Sequence, residues 1–238
     1  MILKSRLYFY LVTINYLLVT GFLAACGGTT EQSDGQPQQP AETESADSDT
    51  ANPAQEEKTI LFFGDSLTAG LGLEEEEAYP ALIQEKIDSL GLPYRSINAG
   101  LSGETSAGGL ERVDWLLQQP ISIFVLALGA NDGLRGIAPE ATYQNLSAIV
   151  EKVKAAHPDS KLILAGMKIP PSMGADYFDQ FEAIYPRLAE RHEMTLIPFL
   201  LDGVAGIQEL NQADGIHPTA AGQRMVAELV WQRLEPLL

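Results

Sequence analysis

The chain has 238 residues, enough for one domain with a full hydrophobic core. Its 32 acidic residues outnumber 15 lysines and arginines, and the formal net charge is -17. This balance argues against a nucleic-acid partner, because phosphate binding needs clustered Lys and Arg. A single cysteine, Cys26, excludes an intrachain disulfide and a cysteine-based metal site.

The first 25 residues predict an export signal that is not part of the fold. Lys4 and Arg6 precede a long apolar stretch over residues 7–23, and small residues lead up to Cys26. The run Leu-Ala-Ala-Cys over residues 23–26 resembles the lipobox of bacterial lipoproteins, which implies that Cys26 becomes a lipid-bearing N-terminus. The alternative is an ordinary signal or an uncleaved anchor in which Cys26 is incidental. Both predict an extracytoplasmic domain, in the periplasm or at the cell surface.

Residues 26–58 predict a disordered acidic tether that follows the lipidated cysteine. Between residues 27 and 58 there is no aromatic and no large aliphatic side chain, and eight acidic residues stand against one lysine. Such a composition cannot form a core. A random coil of this length reaches about 30 Å. We therefore expect a folded domain over residues 59–238, held off a membrane by a lipid-bearing spacer.

From residue 59 onwards, short apolar runs alternate with longer segments of helical period. Strands are predicted at residues 60–63, 94–98, 121–128, 161–165 and 195–197. Helices are predicted at residues 78–90, 105–118, 139–157, 177–192 and 219–234. Strands that are apolar on both faces and alternate with helices predict an α/β fold, with a mainly parallel sheet of about five strands between helical layers.

Four short polar segments interrupt this pattern, at residues 64–67, 98–103, 129–132 and 214–218. The first three directly follow predicted strands. Right-handed crossovers bring the carboxyl ends of parallel strands to one edge of the sheet, where such folds bind ligands. The sequence therefore predicts a site at this edge.

The first and last of these segments hold the groups needed for nucleophilic catalysis. Ser66 follows an apolar strand and Gly64, near a predicted helix start whose N–H groups can stabilise an oxyanion. Asp214 precedes His217 by three positions, so its carboxylate can orient an imidazole that takes the serine proton. A solvated turn around Ser66, and a surface Asp214–His217 pair that caps the next helix, are the alternatives.

The middle segments supply hydrogen-bond donors. The Asn131 amide and the Gly103 N–H can each donate to a developing oxyanion, although Asn and Gly are also common turn residues at strand ends. His157 and His192 lie at predicted helix ends, where we expect a C-terminal cap or a surface position.

Together the segments resemble the SGNH, or GDSL, hydrolase family from about residue 58 to residue 236. The family's serine, glycine, asparagine and histidine blocks match Ser66, Gly103, Asn131 and His217, with Asp214 as the histidine's partner. The resemblance implies a flavodoxin-like three-layer α/β/α sandwich. It also implies a Ser66 nucleophile, a His217 base and an oxyanion hole made by the Ser66 N–H, the Gly103 N–H and the Asn131 side chain. We expect no metal and no organic cofactor.

The runs GDSLTAGLG, LGANDGLRG and DGIHPTAAGQ are most similar to the bacterial subgroup of arylesterases, acyl-CoA thioesterases and lysophospholipases. This resemblance implies a serine esterase for small acyl esters, such as aryl esters or lysophospholipids, and for thioesters; we expect a monomer. The alternatives are a carbohydrate O-acetyl esterase and, from a different class, a non-catalytic binding lipoprotein. The apolar loop over residues 167–174 is predicted either to contact an acyl chain or to be a plain packed loop.

Overall fold

The computed structural model describes residues 57–170 and 173–238, and the predicted export signal, Cys26 and nearly all of the tether lie outside these ranges. The described residues form one five-stranded sheet in which every strand pair is parallel, in the spatial order β2-β1-β3-β4-β5. The strands are β1 (Lys58–Gly64), β2 (Tyr94–Gly100), β3 (Ile123–Ala127), β4 (Lys161–Ala165) and β5 (Thr195–Ile197).

The helices of the described ranges follow and connect these strands. They are α1 (Ser66–Ala69), α2 (Tyr79–Ser89), α3 (Ser106–Leu116), α4 (Ala130–Leu134), α5 (Pro139–Ala156), α6 (Ala175–Glu182), α7 (Ile184–His192) and α8 (Ala220–Leu234). Short 3-10 turns lie at Glu75–Glu77, Gln208–Leu210 and Glu235–Leu237. In the part of the chain that is described, no helix has the length and apolar character needed to cross a membrane.

The helices cover both faces of the sheet. Helix α2 packs against α8, while α3 packs against α5 and α5 against α7. All five residues of β3 are buried, as are the last five of β1. Central strands of this kind are apolar on both faces because neither face meets water. The predicted α/β fold with a five-stranded parallel sheet between helical layers is confirmed.

The strand order places a crevice beside β1. The chain runs from β1 to β2 on one side and then returns to β3 on the other side, so β1 and β3 are neighbours although β2 lies between them in sequence. Such a reversal opens a crevice at the carboxyl ends of the two strands. Gly64 at the end of β1 is in register with Ala127 at the end of β3, so the segments that follow these two residues start side by side.

One predicted helix is wrong as a single element. Residues 177–192 form two helices, α6 and α7, joined at Ala183. Pro186 lies in the first turn of α7, where it lacks the N–H that a continuous helix would direct to the Glu182 carbonyl, and its ring would clash with that carbonyl. The sequence predicted a helix start near Ser66 but no bounds for α1, and it did not predict α4, because four or five residues carry too little helical period to be recognised.

Candidate active site

Ser66 is the first residue of α1, directly after the end of β1. Gly64 is needed at this turn, because a Cβ there would lie 2.0 Å from Thr68 Oγ1. Asp65 caps the helix by accepting a hydrogen bond at Oδ1 from the Leu67 N–H, at 3.0 Å. The turn thus holds Ser66, only 8% exposed, at the edge of the sheet with its hydroxyl at a helix start.

Ser66, His217 and Asp214 form a continuous chain of contacts. The Ser66 Oγ lies 2.9 Å from His217 Nε2, and His217 Nδ1 lies 2.6 Å from Asp214 Oδ2. The other carboxylate oxygen of Asp214, Oδ1, accepts hydrogen bonds from the N–H groups of Ile216, at 2.9 Å, and His217, at 3.0 Å. The bond from the His217 ring, followed by these backbone bonds, lowers the pKa of Asp214 to about 2.

Hydrogen bonds connect the turn that carries His217 to the segment after α1. Gly215 has a φ of +71°, a left-handed conformation that glycine adopts without strain. The Gln212 N–H donates to the His217 carbonyl at 2.7 Å, and Gln212 Nε2 donates to the carbonyls of Pro218, at 2.9 Å, and Leu71, at 2.7 Å. One glutamine therefore links the histidine turn to the serine segment.

Asn131 lies on α4, which begins directly after β3. The helix follows Gly129, whose φ is +115° and where a Cβ would lie 2.5 Å from the Tyr185 hydroxyl. The Asn131 Nδ2 donates to Asp65 Oδ2 at 3.2 Å. This contact brings the predicted amide donor against the residue that precedes Ser66.

Gly103 lies in the turn between β2 and α3, with a φ of +79°. Its carbonyl accepts a hydrogen bond from Arg135 Nη2 at 2.9 Å. Within residues 57–170 and 173–238, neither the Gly103 N–H nor the Ser66 N–H donates to a backbone carbonyl. Both N–H groups can therefore donate to an oxygen of a bound ligand.

The sequence analysis did not identify two buried carboxylates, Asp132 and Glu104, that stabilise this edge of the sheet. Asp132 is fully buried and accepts hydrogen bonds from the Ser106 N–H at 2.8 Å, the Ser106 hydroxyl at 2.5 Å and Thr142 Oγ1 at 3.3 Å. It ties the start of α3 to α4, and so the Gly103 turn to Asn131. The only sequence signal is a charged residue next to an apolar strand.

An ion pair stabilises the segment that directly follows Gly103. Glu104, which is 6% exposed, pairs with Arg112, whose Nη2 donates to Glu104 Oε2 at 2.6 Å and to the Ala99 carbonyl at 2.7 Å. The Arg112 guanidinium also lies 4.3 Å from the centre of the Phe63 ring. Because the pair spans eight residues across a turn and a helix, no sequence spacing points to it.

The remaining candidates lie elsewhere. His192 is buried with Nε2 2.8 Å from Ser147 Oγ, so the expected cap or surface position is wrong for this residue.

In the apolar loop after β4, Met167 and Ile169 are buried and Met173 is exposed, so the described part is mostly packed. Among residues 57–170 and 173–238, no group of three His, Cys, Asp or Glu side chains is placed to hold a metal ion.

Comparison with known proteins identifies the family. The model of the GDSL-like Lipase/Acylhydrolase family matches residues 62–225, which span the end of β1, the strands β2 to β5 and the segments of Ser66, Gly103, Asn131 and His217. The chain belongs to this family. The family match and the relatives below show a carboxylic ester hydrolase.

Named relatives in this family share a large part of the chain. Esterase TesA of Pseudomonas aeruginosa is 43% identical over 182 residues, which cover 76% of this chain and 90% of the relative. Thioesterase 1/protease 1/lysophospholipase L1 of Escherichia coli K12 is 39% identical over 181 residues, 76% of this chain and 85% of the relative. A crystal structure of TesA matches with a TM-score of 0.72 and 43% identity, over 76% of this chain and 100% of that one.

Proposed function

We propose that Ser66 is the nucleophile of this esterase, that His217 is its general base and that Asp214 orients the imidazole. The proposal rests on the chain of contacts at 2.9 Å and 2.6 Å that joins the Ser66 hydroxyl through the His217 ring to the Asp214 carboxylate. A carboxylate at Nδ1 fixes the tautomer in which Nε2 is unprotonated and stabilises the imidazolium that forms when Nε2 takes a proton.

The reaction then proceeds in two balanced halves. Ser66 Oγ attacks the ester carbonyl while His217 Nε2 takes the hydroxyl proton, and the tetrahedral intermediate collapses as His217 returns that proton to the leaving alcohol or thiol. The acyl group stays on Ser66. A water molecule attacks this acyl-enzyme, gives one proton to His217 and displaces Ser66, which recovers the proton as the carboxylic acid leaves.

The negative charge of each tetrahedral intermediate needs donors at the carbonyl oxygen. The Ser66 N–H, the Gly103 N–H and the Asn131 Nδ2 are the three that we assign to it. Support comes from the two N–H groups, which make no backbone bond within residues 57–170 and 173–238, and from Asn131, which lies beside Asp65 at the same sheet edge. Each such donor contributes about 10²- to 10³-fold in rate.

For the substrate we infer esters and thioesters of medium or long acyl chains, including lysophospholipids. The Escherichia coli relative is named as a thioesterase and lysophospholipase. Within each polar segment, or up to four residues after it, there is also one exposed aliphatic side chain, and apolar side chains near a site suit an acyl chain. These side chains are Leu71, Leu101, Leu134 and Ile216.

The test uses the full chain and p-nitrophenyl esters from acetate to palmitate, with lysophosphatidylcholine as a second substrate. Ser66→Ala and His217→Ala should each abolish turnover in a folded protein, whereas Ser89→Ala, on an exposed serine of α2, should not. Near wild-type turnover in Ser66→Ala would overturn the assignment. Activity confined to acetate would instead favour a carbohydrate O-acetyl esterase.

For the N-terminal segment, which lies outside the described residues, the proposal is a lipid anchor at Cys26 and an extracytoplasmic, monomeric enzyme. Support comes from the sequence Leu-Ala-Ala-Cys after an apolar stretch and from the acidic, core-free spacer that follows. An alkyne fatty acid fed to cells should label the wild-type chain and move it to the membrane fraction. Cys26→Ser should abolish both; unchanged labelling would contradict the anchor.

A further inference from the structure

Asp65 is a buried carboxylate whose partners are both uncharged. Its side chain is 0% exposed, Oδ1 accepts from the Leu67 N–H at 3.0 Å and Oδ2 accepts from Asn131 Nδ2 at 3.2 Å. Among the described residues, no lysine or arginine forms an ion pair with it. A charge buried without a cation is costly for folding, so a neutral side chain would serve stability better unless the carboxylate has another role.

The two carboxylate oxygens of Asp65 accept hydrogen bonds from different parts of the chain. Oδ1 satisfies one orphan N–H at the start of α1, which is the ordinary work of a helix cap. Oδ2 instead contacts a side chain 66 positions away in sequence, on the neighbouring segment after β3. The hydrogen bond at Oδ2 does not contribute to the helix cap, so we look for its role in the orientation of the Asn131 side chain.

An amide side chain can present either its oxygen or its nitrogen to a neighbour, and a carboxylate distinguishes the two ends. The Asp65 Oδ2 accepts from Nδ2, whereas the Asn131 carbonyl oxygen would be repelled by it. Nδ2 carries two hydrogens, and with one bonded to Asp65 the second is directed away from Asp65. If the amide turned over, its oxygen would face the developing negative charge instead.

We propose that Asp65 is a positioning residue that fixes the Asn131 amide with an N–H directed at the oxyanion. The inference rests on the proposed function, because it assigns a partner to one of the three oxyanion donors. Burial is the largest cause of a net rise in the pKa of Asp65 to about 6; the hydrogen bonds from Leu67 and Asn131 and the charge of His217 oppose this rise, and the Glu104 carboxylate adds to it. The carboxylate is thus ionised at pH 8, where the test is made.

The decisive experiment is a double-mutant cycle in the full chain, with Asp65→Asn, Asn131→Ala and the combination. Leu67 and Asn131 donate to different oxygens of Asp65, and an asparagine at position 65 replaces one of these oxygens with an NH₂ donor, so one of the two hydrogen bonds is lost. With Asn131 present, we expect Asp65→Asn to lower kcat at least about tenfold with KM nearly unchanged. With Asn131→Ala, the same change should alter kcat by less than about twofold, because directly coupled residues are not additive.

A second variant separates positioning from capping. Serine is a good helix cap, so Asp65→Ser retains an acceptor for the Leu67 N–H but is too short to hold Asn131. It should lose kcat as Asp65→Asn does.

The outcomes separate three questions. Equal loss from Asp65→Asn in both backgrounds, or wild-type kcat in Asp65→Ser, would overturn the role of Asp65 while leaving the oxyanion assignment intact. Wild-type kcat in Asn131→Ala alone would overturn the oxyanion role of Asn131 and, with it, this inference. Turnover that persists in Ser66→Ala would instead contradict the proposed nucleophile.

Discussion

Gln223 Nε2 donates a hydrogen bond to the Leu67 carbonyl at 3.1 Å, and this joins the first turn of α8 to the residue that follows Ser66. The Gln223 Oε1 accepts from the Tyr79 N–H at 3.0 Å, at the start of α2, and the residue is only 1% exposed. Since α8 begins three residues after His217, one buried amide connects the helix behind the histidine to the helix of the serine. The spacing between Ser66 and His217 therefore depends on a residue that touches neither.

The change Gln223→Leu should weaken both the fold and the turnover. It leaves the Tyr79 N–H and the Leu67 carbonyl buried without a partner, and each unsatisfied group costs about 1–3 kcal/mol. We expect the free energy of unfolding in urea to fall by at least about 1 kcal/mol. The kcat should fall as well, because α1 and the His217 turn lose a shared support.

The matched control for this change is Gln144→Leu, on an exposed position of α5. A surface change of this kind should stay within about 0.5 kcal/mol of the wild type. If Gln223→Leu unfolds at the same urea concentration as Gln144→Leu, the buried amide is not a support of the site.

Two adjacent glycines of α3 should respond to alanine with opposite signs. A Cβ at Gly109 would lie 2.6 Å from Leu128 Cδ1 and 3.2 Å from the Phe63 ring, so α3 packs on the sheet through this position. A Cβ at Gly108 would meet nothing closer than 3.5 Å. We expect Gly109→Ala to destabilise by about 1–3 kcal/mol through overpacking. Gly108→Ala should stabilise by about 0.5–1 kcal/mol, because alanine loses less entropy in a helix.

Thermal unfolding of the two variants beside the wild type measures this difference. Each variant is the other's control, since both add one methyl group to the same helix. Equal shifts in Tm would contradict the close approach of α3 to Phe63 and Leu128.

The order of the elements was predictable because periodicity is local. The strands at 161–165 and 195–197 have the predicted bounds, and helix α5 ends one residue before the prediction. The break between α6 and α7 also has a local cause in Pro186, which the helical period of residues 177–192 outweighed. The prediction missed this helix boundary because the helical period of the whole segment was given more weight than the single proline.

The supports of the site were unpredictable for a different reason. The hydrogen bonds of Asp65 to Asn131, Asp132 to Ser106 and Gln223 to Leu67 join residues 66, 26 and 156 positions apart. No spacing rule covers such separations. These partners meet only because parallel strands end at one edge of the sheet and the helices after them pack together.

The pH dependence of stability should carry a signature of His192. Burial, followed by the nearby charge of Lys154, lowers the pKa of this histidine below its ordinary 6.5. The unfolded chain therefore binds the proton at a higher pH than the folded one does, and the free energy of unfolding falls as the pH drops below about 6.5. His192→Gln removes this titration and keeps a polar side chain that can form a hydrogen bond with Ser147.

Urea unfolding between pH 5 and pH 8 measures the effect. We expect the stability of the wild type relative to His192→Gln to decrease as the pH falls from 6.5 towards 5. Parallel curves for the two proteins would contradict a lowered pKa, as would a nuclear magnetic resonance titration of the His192 ring with its midpoint above 6.5.

The last prediction concerns the orientation of Asp214. Its Oδ1 accepts two backbone N–H groups, from Ile216 and His217, so Asp214→Asn must keep its one oxygen there and direct its NH₂ at His217 Nδ1. Nδ1 would then accept a hydrogen bond from that NH₂, so the ring hydrogen would lie on Nε2, which could not take the proton of Ser66. We expect kcat to fall about 10⁴-fold, the effect of a wrong tautomer in such a triad.

Asp214→Ala is the matched control for this argument. It removes the carboxylate without directing an N–H at the ring, so it should be less harmful than Asp214→Asn. The pKa of Asp214, about 2 in the wild type, should rise towards 3.8 in His217→Ala, because the bond from that ring is the largest cause of the lowering. The ionised Asp214 carboxylate should accordingly make its full contribution to the free energy of unfolding above pH 3.8, and this contribution should disappear as the pH falls through about 2. Equal kcat in Asp214→Asn and Asp214→Ala would show that the two backbone bonds do not control the tautomer of His217.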